Sequence, residues 1–188
     1  MKRKILIGLA VFLVIGLAGL VWTGVQNDKT DVSYDKAFTT PAKNINVINV
    51  SSLEQPAKVI VKESEQEETT VYIKGQLAKN NIAAMEEQFG IDEEGDLMIS
   101  FAKNGFTMTV MGDKPTVTIE ITLAKGVTFN DFRLFSSNGG ADVILPKSFD
   151  GSYKITSQSN NITKPQNGTN TKRQASIETP GDVNVVLE

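Results

Sequence analysis

Apolar and polar residues alternate with a period of two over much of the chain, and this pattern predicts β-strands. The clearest strand covers residues 116–123, in which every second position is apolar. Those apolar positions are Val117, Ile119, Ile121 and Leu123. One face of this strand is therefore expected to meet a core and the other to meet water. Residues 106–111 alternate in the same way, and residues 112–115 have the composition of a turn between the two strands.

The strand pattern begins near residue 44, where isoleucine and valine alternate with asparagine. Two β-branched segments follow, at residues 58–62 and 69–74, and they flank the acidic segment 63–68. Charged residues at the tip of a hairpin stay in water. We therefore predict that these two segments form an antiparallel hairpin with a solvated acidic end.

Residues 78–89 fit two predictions. In the first, Asn80 or Asn81 caps a short helix. The apolar face of that helix is formed by Ile82, Met85 and Phe89. In the second, a strand over residues 86–92 leads through an acidic turn into a return strand over residues 97–101. We favour the second arrangement, with at most one helical turn before it.

A repeat of about 20 residues begins near residue 130, and each unit consists of a strand, a small polar corner and a second strand. Leu134, Ile155 and Ile177 occupy equivalent positions in three units, 21 and 22 residues apart. A unit of two short strands cannot bury its apolar face alone. Each unit is therefore expected to stack on a neighbour.

The corners between the repeated strands are small and polar because they face solvent and some need a positive φ angle. They include Asn138, Gly139, Asn160, Asn161 and Gly181. Together these patterns predict an all-β fold. We expect a β-solenoid-like stack of short strands, with mixed antiparallel hairpins in its N-terminal part and repeated β-coils in its C-terminal part. We assign this strand domain to residues 44–188.

An uncharged segment of eighteen residues, 5–22, precedes the strands and follows a run of three basic residues. As a helix it rises about 1.5 Å per residue and nearly matches the thickness of a hydrocarbon core. Basic flanks stay on the cytoplasmic side. We therefore expect residues 1–25 to be a single-pass membrane anchor with a cytoplasmic N-terminus, and residues 26–43 to be a polar stalk to an extracellular domain. A cleaved signal peptide is the alternative, which we disfavour because the chain stays apolar up to Trp22.

The charge and the missing residue types narrow the function. The chain of 188 residues has 19 basic and 22 acidic residues. Without the three basic residues before the apolar segment, 16 remain against 22, so the exported part carries −6. This sign argues against a nucleic-acid partner. The sequence contains no cysteine and no histidine, which excludes Ser-His-Asp and Cys-His catalysis and the usual zinc sites.

Three local patterns suggest chemistry, and each has a simpler structural interpretation. Ser33 and Lys36 match the Ser-x-x-Lys of penicillin-recognising enzymes, but they lie in the predicted stalk without a Lys-Thr-Gly. The acidic segment 92–96 lacks the ligand spacing of an EF-hand, so we interpret it as a solvated turn. Residues 139–142 contain one imperfect copy of the Ca²⁺-binding repeat of bacterial β-rolls, and we interpret them as a corner. Paired carboxylates for glycoside hydrolysis are disfavoured because the acids cluster on hairpin tips. We therefore predict no catalytic residue, no cofactor and no metal ligand.

The repeated units carry a family resemblance. An alternating strand, a corner of Ser or Thr with Asn or Gly, and a strand ending in Ile-x-Leu resemble the putative-adhesin β-strand-repeat family. The LiaG-like members of that family stand in Gram-positive envelope-stress operons. Residues 122–126 look like the family's hinge before the repeats, with Ala124 where proline is usual. The resemblance covers residues 45–188 and implies a cell-envelope β-repeat domain without catalytic residues.

Two functions follow as hypotheses. The first is a non-enzymatic, membrane-anchored cell-envelope protein that presents a β-repeat surface to an envelope protein or a wall polymer. The alternative is an extracytoplasmic regulatory or sensing subunit of an envelope-stress signalling system. The absence of a Gly-x-x-x-Gly motif from residues 5–22 weighs against helix pairing, and so against the alternative.

Overall fold

The computed structural model describes residues 29–102 and 112–188. Within them the protein is mostly β, and its one helix, α1 (Lys79–Gln88), is short. The strands are β1 (Thr30–Thr40), β2 (Ile45–Leu53), β3 (Ala57–Glu63), β4 (Thr69–Ala78), β5 (Gly90–Ile91), β6 (Leu97–Ser100), β7 (Val117–Leu123), β8 (Phe129–Ser136), β9 (Ala141–Leu145), β10 (Ser152–Ser157), β11 (Ile162–Thr163), β12 (Gln174–Thr179) and β13 (Val183–Leu187). The predicted anchor at 1–25 and the predicted strand at 106–111 lie outside the described residues. In the part of the chain that is described, no helix has the length and apolar character needed to cross a membrane.

The strands form two sheets that share one apolar core. The seven-stranded sheet has the order β1-β4-β7-β3-β9-β13-β11, and the six-stranded sheet has the order β10-β12-β8-β2-β6-β5. Every second side chain of β7 is buried, which confirms the alternation predicted for this strand. The core draws on both sheets, with Ile119 and Val143 from the larger one and Ile99 and Phe132 from the smaller one. Each such side chain contributes roughly 1.5–3 kcal/mol when it is fully buried.

Four units of the described chain run from the six-stranded sheet through a corner into the seven-stranded sheet: β2–β3, β8–β9, β10–β11 and β12–β13. Neighbouring units pair in parallel. The predicted equivalence of Leu134, Ile155 and Ile177 is confirmed, because Ile177 lies opposite both of the others. The units do not stack in chain order, however. The unit β12–β13 lies between β8–β9 and β10–β11, so Ile177 is the middle residue of the three.

The predicted hairpin of residues 58–62 and 69–74 is wrong, because β7 lies between β3 and β4 in the sheet. β7 pairs in parallel with β3 on one side and antiparallel with β4 on the other. Its Ile119 is opposite Val59 of β3 and Ile73 of β4. The regularly alternating strand thus contacts two apolar neighbours, whereas the hairpin would give each strand only one. This gain outweighs the short connection that favours a hairpin.

The predicted stalk over residues 26–43 is also corrected, because β1 is an edge strand of the seven-stranded sheet. β1 pairs antiparallel with β4 over most of its length. Tyr34 is buried on its inner face, and Lys36 stands on the same face. The Lys36 ammonium is 2.9 Å from a carboxylate oxygen of Glu86 in α1. A lysine in the apolar row hides the alternation in the sequence, and its half-exposed side chain keeps the ammonium in water beside Glu86. The described strand domain therefore includes β1, ahead of the predicted start at residue 44.

The favoured strand prediction within residues 78–89 is wrong, because most of this segment forms α1. The strand predicted over residues 86–92 is reduced to the two residues of β5. β5 pairs antiparallel with β6, which confirms the turn and the return strand. Asn81 makes no capping hydrogen bond, and its amide instead donates to the Phe101 carbonyl at 2.7 Å. This buried bond ties α1 to the end of β6 and favours the helix over a strand.

β10 forms one edge of the six-stranded sheet. Open edges invite pairing with a second chain, and folded proteins commonly block them. The loop after β11 blocks this edge at Tyr153. The Lys164 ammonium donates to the Tyr153 carbonyl at 3.2 Å, and the Asn167 side-chain oxygen accepts the Tyr153 N–H at 3.2 Å. Both backbone groups of this edge residue are therefore occupied.

Replacing Lys164 and Asn167 together with alanine is expected to cause self-association, because the backbone groups of Tyr153 then become available to another strand. Size-exclusion chromatography with light scattering on the full chain should show a concentration-dependent dimer. The matched control, Lys172→Ala with Asn160→Ala, removes one ammonium and one amide from exposed positions and should leave the mass unchanged. A Lys164/Asn167 variant with the mass of the unmodified chain at every concentration would contradict the blocking role.

Candidate binding groove beside the strand corners

Three neighbouring strands of the six-stranded sheet end in residues with small hydroxyl side chains: Ser136 in β8, Thr179 in β12 and Ser157 in β10. Each hydroxyl contacts the backbone of the next corner. The Ser157 hydroxyl donates to the Gly181 carbonyl at 2.6 Å, and the Thr179 hydroxyl donates to the Gly139 carbonyl at 2.5 Å. We call this row of contacts the corner ladder. It confirms that the corners are small and polar, as predicted.

Ser136 continues the corner ladder towards β2. Its buried hydroxyl oxygen lies 3.2 Å from the Leu53 carbonyl oxygen and 3.1 Å from that of Gln55. The Leu53 carbonyl also accepts the Ser137 N–H at 2.8 Å, so the Ser136 hydroxyl adds a second contact there and offers a partner to the Gln55 carbonyl. The corner ladder therefore holds four corners at fixed distances from one another. It gives any site beside it a rigid support.

A shallow groove of about 270 Å³ lies beside the corner ladder, where the outer face of the six-stranded sheet ends. Its lining spans the units of β8, β10 and β12, and consists of Phe135, Ser136, Ser137, Thr156, Ser157, Gln158, Glu178, Thr179 and Pro180. Phe135, Glu178 and Thr156 stand side by side across the three strands. We refer to this depression as the corner groove.

Phe135 is the most exposed residue among the large hydrophobic side chains of the described chain. Its exposed fraction is 44%, compared with 41% for Ile162 and 37% for Val32. Isolated apolar residues on a surface are ordinary and need no explanation. Phe135 differs from the other two because it lines the corner groove. A rigid aromatic ring is thereby held open to solvent in a concave site.

The polar side chains of the corner groove divide into two sets. The hydroxyls of the corner ladder are already bonded to backbone. Thr156, Gln158 and Glu178 are exposed, and their side chains form no hydrogen bond with another described residue. They present a hydroxyl, a primary amide and a carboxylate to solvent. The groove thus combines one exposed aromatic ring with a mostly polar lining, whose free side chains can form hydrogen bonds with a ligand.

The structure does not bring together the residues whose sequence patterns suggested catalysis or metal binding. Ser33 and Lys36 lie three residues apart on a strand, so their side chains point to opposite faces. An Asp92 carboxylate oxygen accepts the N–H groups of Glu94 and Asp96 at 3.0 Å and 2.9 Å, which forms the turn predicted for residues 92–96. Across residues 29–102 and 112–188, no group of three or more possible ligands could hold a metal ion.

The corner that we predicted at residues 139–142 covers residues 137–140, and Ala141 and Asp142 already belong to β9. Gly139 has a φ of +84°, and a side chain there would meet the ring of Pro56. The Gly139 carbonyl is the acceptor for Thr179 in the corner ladder. Asp142 is exposed on β9. The glycines therefore serve the close approach of neighbouring corners.

Hydrogen bonds lower the pKa of three exposed carboxyl groups. The pKa of Asp182 is lowered mainly by the Ser159 hydroxyl, that of Asp150 mainly by the Thr169 hydroxyl, and that of Glu86 by Lys36 and Tyr34. The ordinary values are 3.8 for the aspartates and 4.5 for the glutamate. As the pH falls through that range, the unfolded chain takes up protons before the folded chain does. The stabilisation is therefore present above the ordinary values and lost below them.

We expect the midpoint of thermal unfolding to fall as the pH is lowered from about 5 to about 2.5, because these carboxylates must then be protonated. Scanning calorimetry across that range measures the effect. Asp182→Asn removes one contributor and should reduce the fall. The control Asp113→Asn changes a carboxylate that has no hydrogen bond or ion pair with another described residue, and its profile should follow that of the unmodified chain. Equal slopes for both variants would contradict a contribution from Asp182.

The sequence contains a signal for the groove that lies outside every catalytic motif. Phe135, Thr156 and Glu178 directly follow the repeat positions 134, 155 and 177. Because successive side chains of a strand point to opposite faces, residues that follow buried repeat positions form a row on the outer face. An aromatic residue in this otherwise polar row was the detectable feature.

Comparisons with known proteins give little further information. No protein-family model and no curated protein matches the chain. Among solved structures, the chain is similar to a putative cell adhesion protein from Clostridium sporogenes, with 11% sequence identity and a TM-score of 0.33. The similarity covers 84% of this chain and 100% of that one. At this identity and score it carries no argument about function.

Proposed function

We propose that this chain is a non-enzymatic, membrane-anchored cell-envelope protein whose β-repeat domain presents the corner groove to an envelope polymer or protein. The main observation behind this proposal is Phe135. Its aromatic ring is exposed in a concave site, and the corner ladder holds the strands of that site in place. An apolar ring surrounded by unused polar groups suits recognition. Repeated corners that hold one another in place suit display of a fixed surface.

The composition of the groove supports binding over catalysis. Glu178 is the one carboxylate in its lining. Hydrolysis by acid and base groups requires two such groups across the scissile bond. The sequence contains no histidine and no cysteine to supply another base or nucleophile. A binding role therefore accounts for the groove with the groups that are present.

The proposed cellular location is based on the sequence. The uncharged segment 5–22 and the basic residues before it support a single-pass anchor with the N-terminus inside. The net negative charge of the remainder supports a location away from nucleic acid. The resemblance to the LiaG-like proteins supports a Gram-positive envelope and a β-solenoid-like stack. In this proposal the groove faces the wall side of the membrane.

The proposed location is tested by fractionation and surface proteolysis of cells that produce the full chain. We expect the chain in the membrane fraction, with its C-terminal part cut by protease added to wall-free cells. A variant without residues 1–25 should remain in the cytosol and be protected. Recovery of the full chain from the cytosol would contradict the proposal.

The partner surface is tested with a photo-crosslinking amino acid at position 135 in intact cells. The matched control carries it at position 58, an exposed site on β3 in the other sheet. We expect position 135 to capture envelope polymer or one envelope protein, identified by mass spectrometry, and position 58 to capture neither. Equal capture at both positions would contradict a role for the groove. Capture of a membrane signalling protein at position 135 would favour the regulatory alternative.

A further inference from the structure

We infer that the corner groove binds a neutral pyranose ring of an extended polysaccharide, with the sugar stacked on Phe135 and its hydroxyls bonded to Thr156, Gln158 and Glu178. This inference rests on the proposed function and names the ligand class of the same site. A pyranose has a face of C–H groups and a rim of hydroxyls. The groove offers a complementary surface for each.

Phe135 supplies the apolar contact. Its exposed ring stands on β8, whose neighbours β2 and β12 hold it from both sides. An aromatic face carries partial negative charge and attracts the slightly positive C–H groups of a sugar ring. A phenylalanine has no polar atom that would compete for the sugar hydroxyls. The ring is already exposed before binding, so no rearrangement is needed.

The three unbonded side chains supply the polar contacts. The Glu178 carboxylate accepts two or more hydroxyl hydrogens, and the Gln158 amide and the Thr156 hydroxyl both donate and accept. Sugar hydroxyls also donate and accept, so each can be matched. Thr156 and Glu178 are neighbours in the strand register, and Glu178 is the register neighbour of Phe135. The polar groups therefore lie along one side of the ring.

The charge of the site selects a neutral sugar. Glu178 is in the groove, and the chain after its basic N-terminus carries 16 basic against 22 acidic residues. A uronate or phosphate-bearing polymer would place like charges together, which weakens binding. We therefore expect the groove to prefer a neutral sugar, although Arg133 and Lys154 are exposed on the same outer face, two residues before Phe135 and Thr156.

A protein partner fits less well. A peptide in extended form usually binds by adding a strand to a sheet edge. The near edge strand, β10, has both backbone groups of Tyr153 occupied by Lys164 and Asn167. The groove itself lies on the outer face of the sheet, where the strands have already used their backbone groups on one another. The groups that remain free to bond there are side chains, and these can form hydrogen bonds with the hydroxyl groups of a sugar.

The size of the groove suits one ring of a longer chain. Its volume of about 270 Å³ is slightly below the range of pockets that enclose a complete small molecule. A single stacked ring gives weak binding, with a Kd on the order of 1 mM. Many copies of the protein on a membrane, facing a polymer with many rings, would bind far more tightly through avidity.

The test uses the full chain, solubilised in a detergent without a sugar head group. The probes are cellohexaose and chitohexaose, which are neutral, and hexagalacturonate, which is anionic. Saturation-transfer NMR reports which sugar protons contact the protein, and a titration gives Kd. We expect at least one neutral hexasaccharide to bind, with its ring C–H protons most strongly saturated. Hexagalacturonate should bind at least about tenfold more weakly.

Variants assign the contact to the groove. Phe135→Ala should weaken binding at least about tenfold, whereas Phe135→Trp should retain it because a larger ring still stacks. The matched control, Ile162→Ala, removes an equally exposed apolar side chain outside the groove and should leave Kd unchanged. Glu178→Gln should reduce the discrimination against hexagalacturonate.

Several results would overturn the inference. They are no binding of either neutral probe, stronger binding of the anionic probe, or a Phe135→Ala variant with the same Kd as the Ile162→Ala control. If position 135 captures a protein and no glycan in cells, the proposed function stands and the sugar assignment fails. If the neutral probes bind while the chain is cytosolic, the sugar assignment stands and the proposed address fails.

Discussion

Replacing Ile177 with alanine is expected to lower the free energy of unfolding by about 2–5 kcal/mol. Ile177 is 1% exposed and stands between Leu134 on one side and Ile155 on the other. Truncation there opens a cavity that is enclosed by strands on both sides. Such a cavity closes poorly, because neither neighbouring strand can move without losing its own pairing.

The matched variant is Ile155→Ala, at the equivalent repeat position on the edge strand β10. Ile155 is only half-buried, so part of its side chain is already in water. We expect a loss of about 1 kcal/mol. Urea denaturation of both variants, with equal slopes, gives the two free energies. Chain-order stacking would place Ile155 in the middle, and a larger loss at Ile155 than at Ile177 would support that order instead.

This comparison shows how far a repeat can be interpreted from sequence. The spacing of Leu134, Ile155 and Ile177 identifies structurally equivalent residues, because each unit packs the same position against its neighbour. It carries no information about which unit lies beside which. Parallel strands of similar pattern pair equally well in either order. The order of the units therefore depends on the connecting loops and on what covers the end of the stack. The loop that occupies the edge of β10 at Tyr153 is one such factor.

The strands at the N-terminal end were harder to predict for a different reason. In β1, Lys36 interrupts the apolar row, and its half-exposed ammonium contacts Glu86 in a helix that is distant in sequence. In α1, Asn81 bonds to the Phe101 carbonyl instead of capping the helix. Both errors arise because a long-range polar contact overrides a local pattern, and local patterns are all that a single sequence displays.

The candidate site illustrates the same limit. The polar corners were predictable because small residues at turns have a local cause. The outer row that contains Phe135 was also visible in the repeat, but the corner groove itself was not predictable, since it forms only when β8, β12 and β10 become neighbours. Phe135 then gains Glu178 beside it, although 43 positions separate them in the sequence. A site built across stacked units depends on the order of the units, which the repeat does not encode.

Gly181→Ala is expected to lower the free energy of unfolding by about 3 kcal/mol, because the corner that contains Gly181 has no room for a side chain. A methyl group there would lie 2.5 Å from the carbonyl carbon and oxygen of Gly139 and 2.6 Å from the nitrogen of Gly140. These are backbone atoms of the adjacent corner, so no side-chain rotation relieves the contact. Relief requires the two corners to separate, which breaks the 2.8 Å bond from the Gly181 N–H to the Gly139 carbonyl.

The control Gly126→Ala separates this steric effect from the conformational cost of replacing glycine. Gly126 has a φ of +73°, and a methyl group there would meet no atom within 4 Å. Its replacement should lower the free energy of unfolding by about 1 kcal/mol, from backbone strain alone. Thermal and urea unfolding of the full-length variants compare the two. Because Thr179 and Pro180 line the corner groove, separation of the corners should also weaken binding of the hexasaccharide probes in Gly181→Ala. An equal loss of stability in the two variants would show that the corners are not held in close contact.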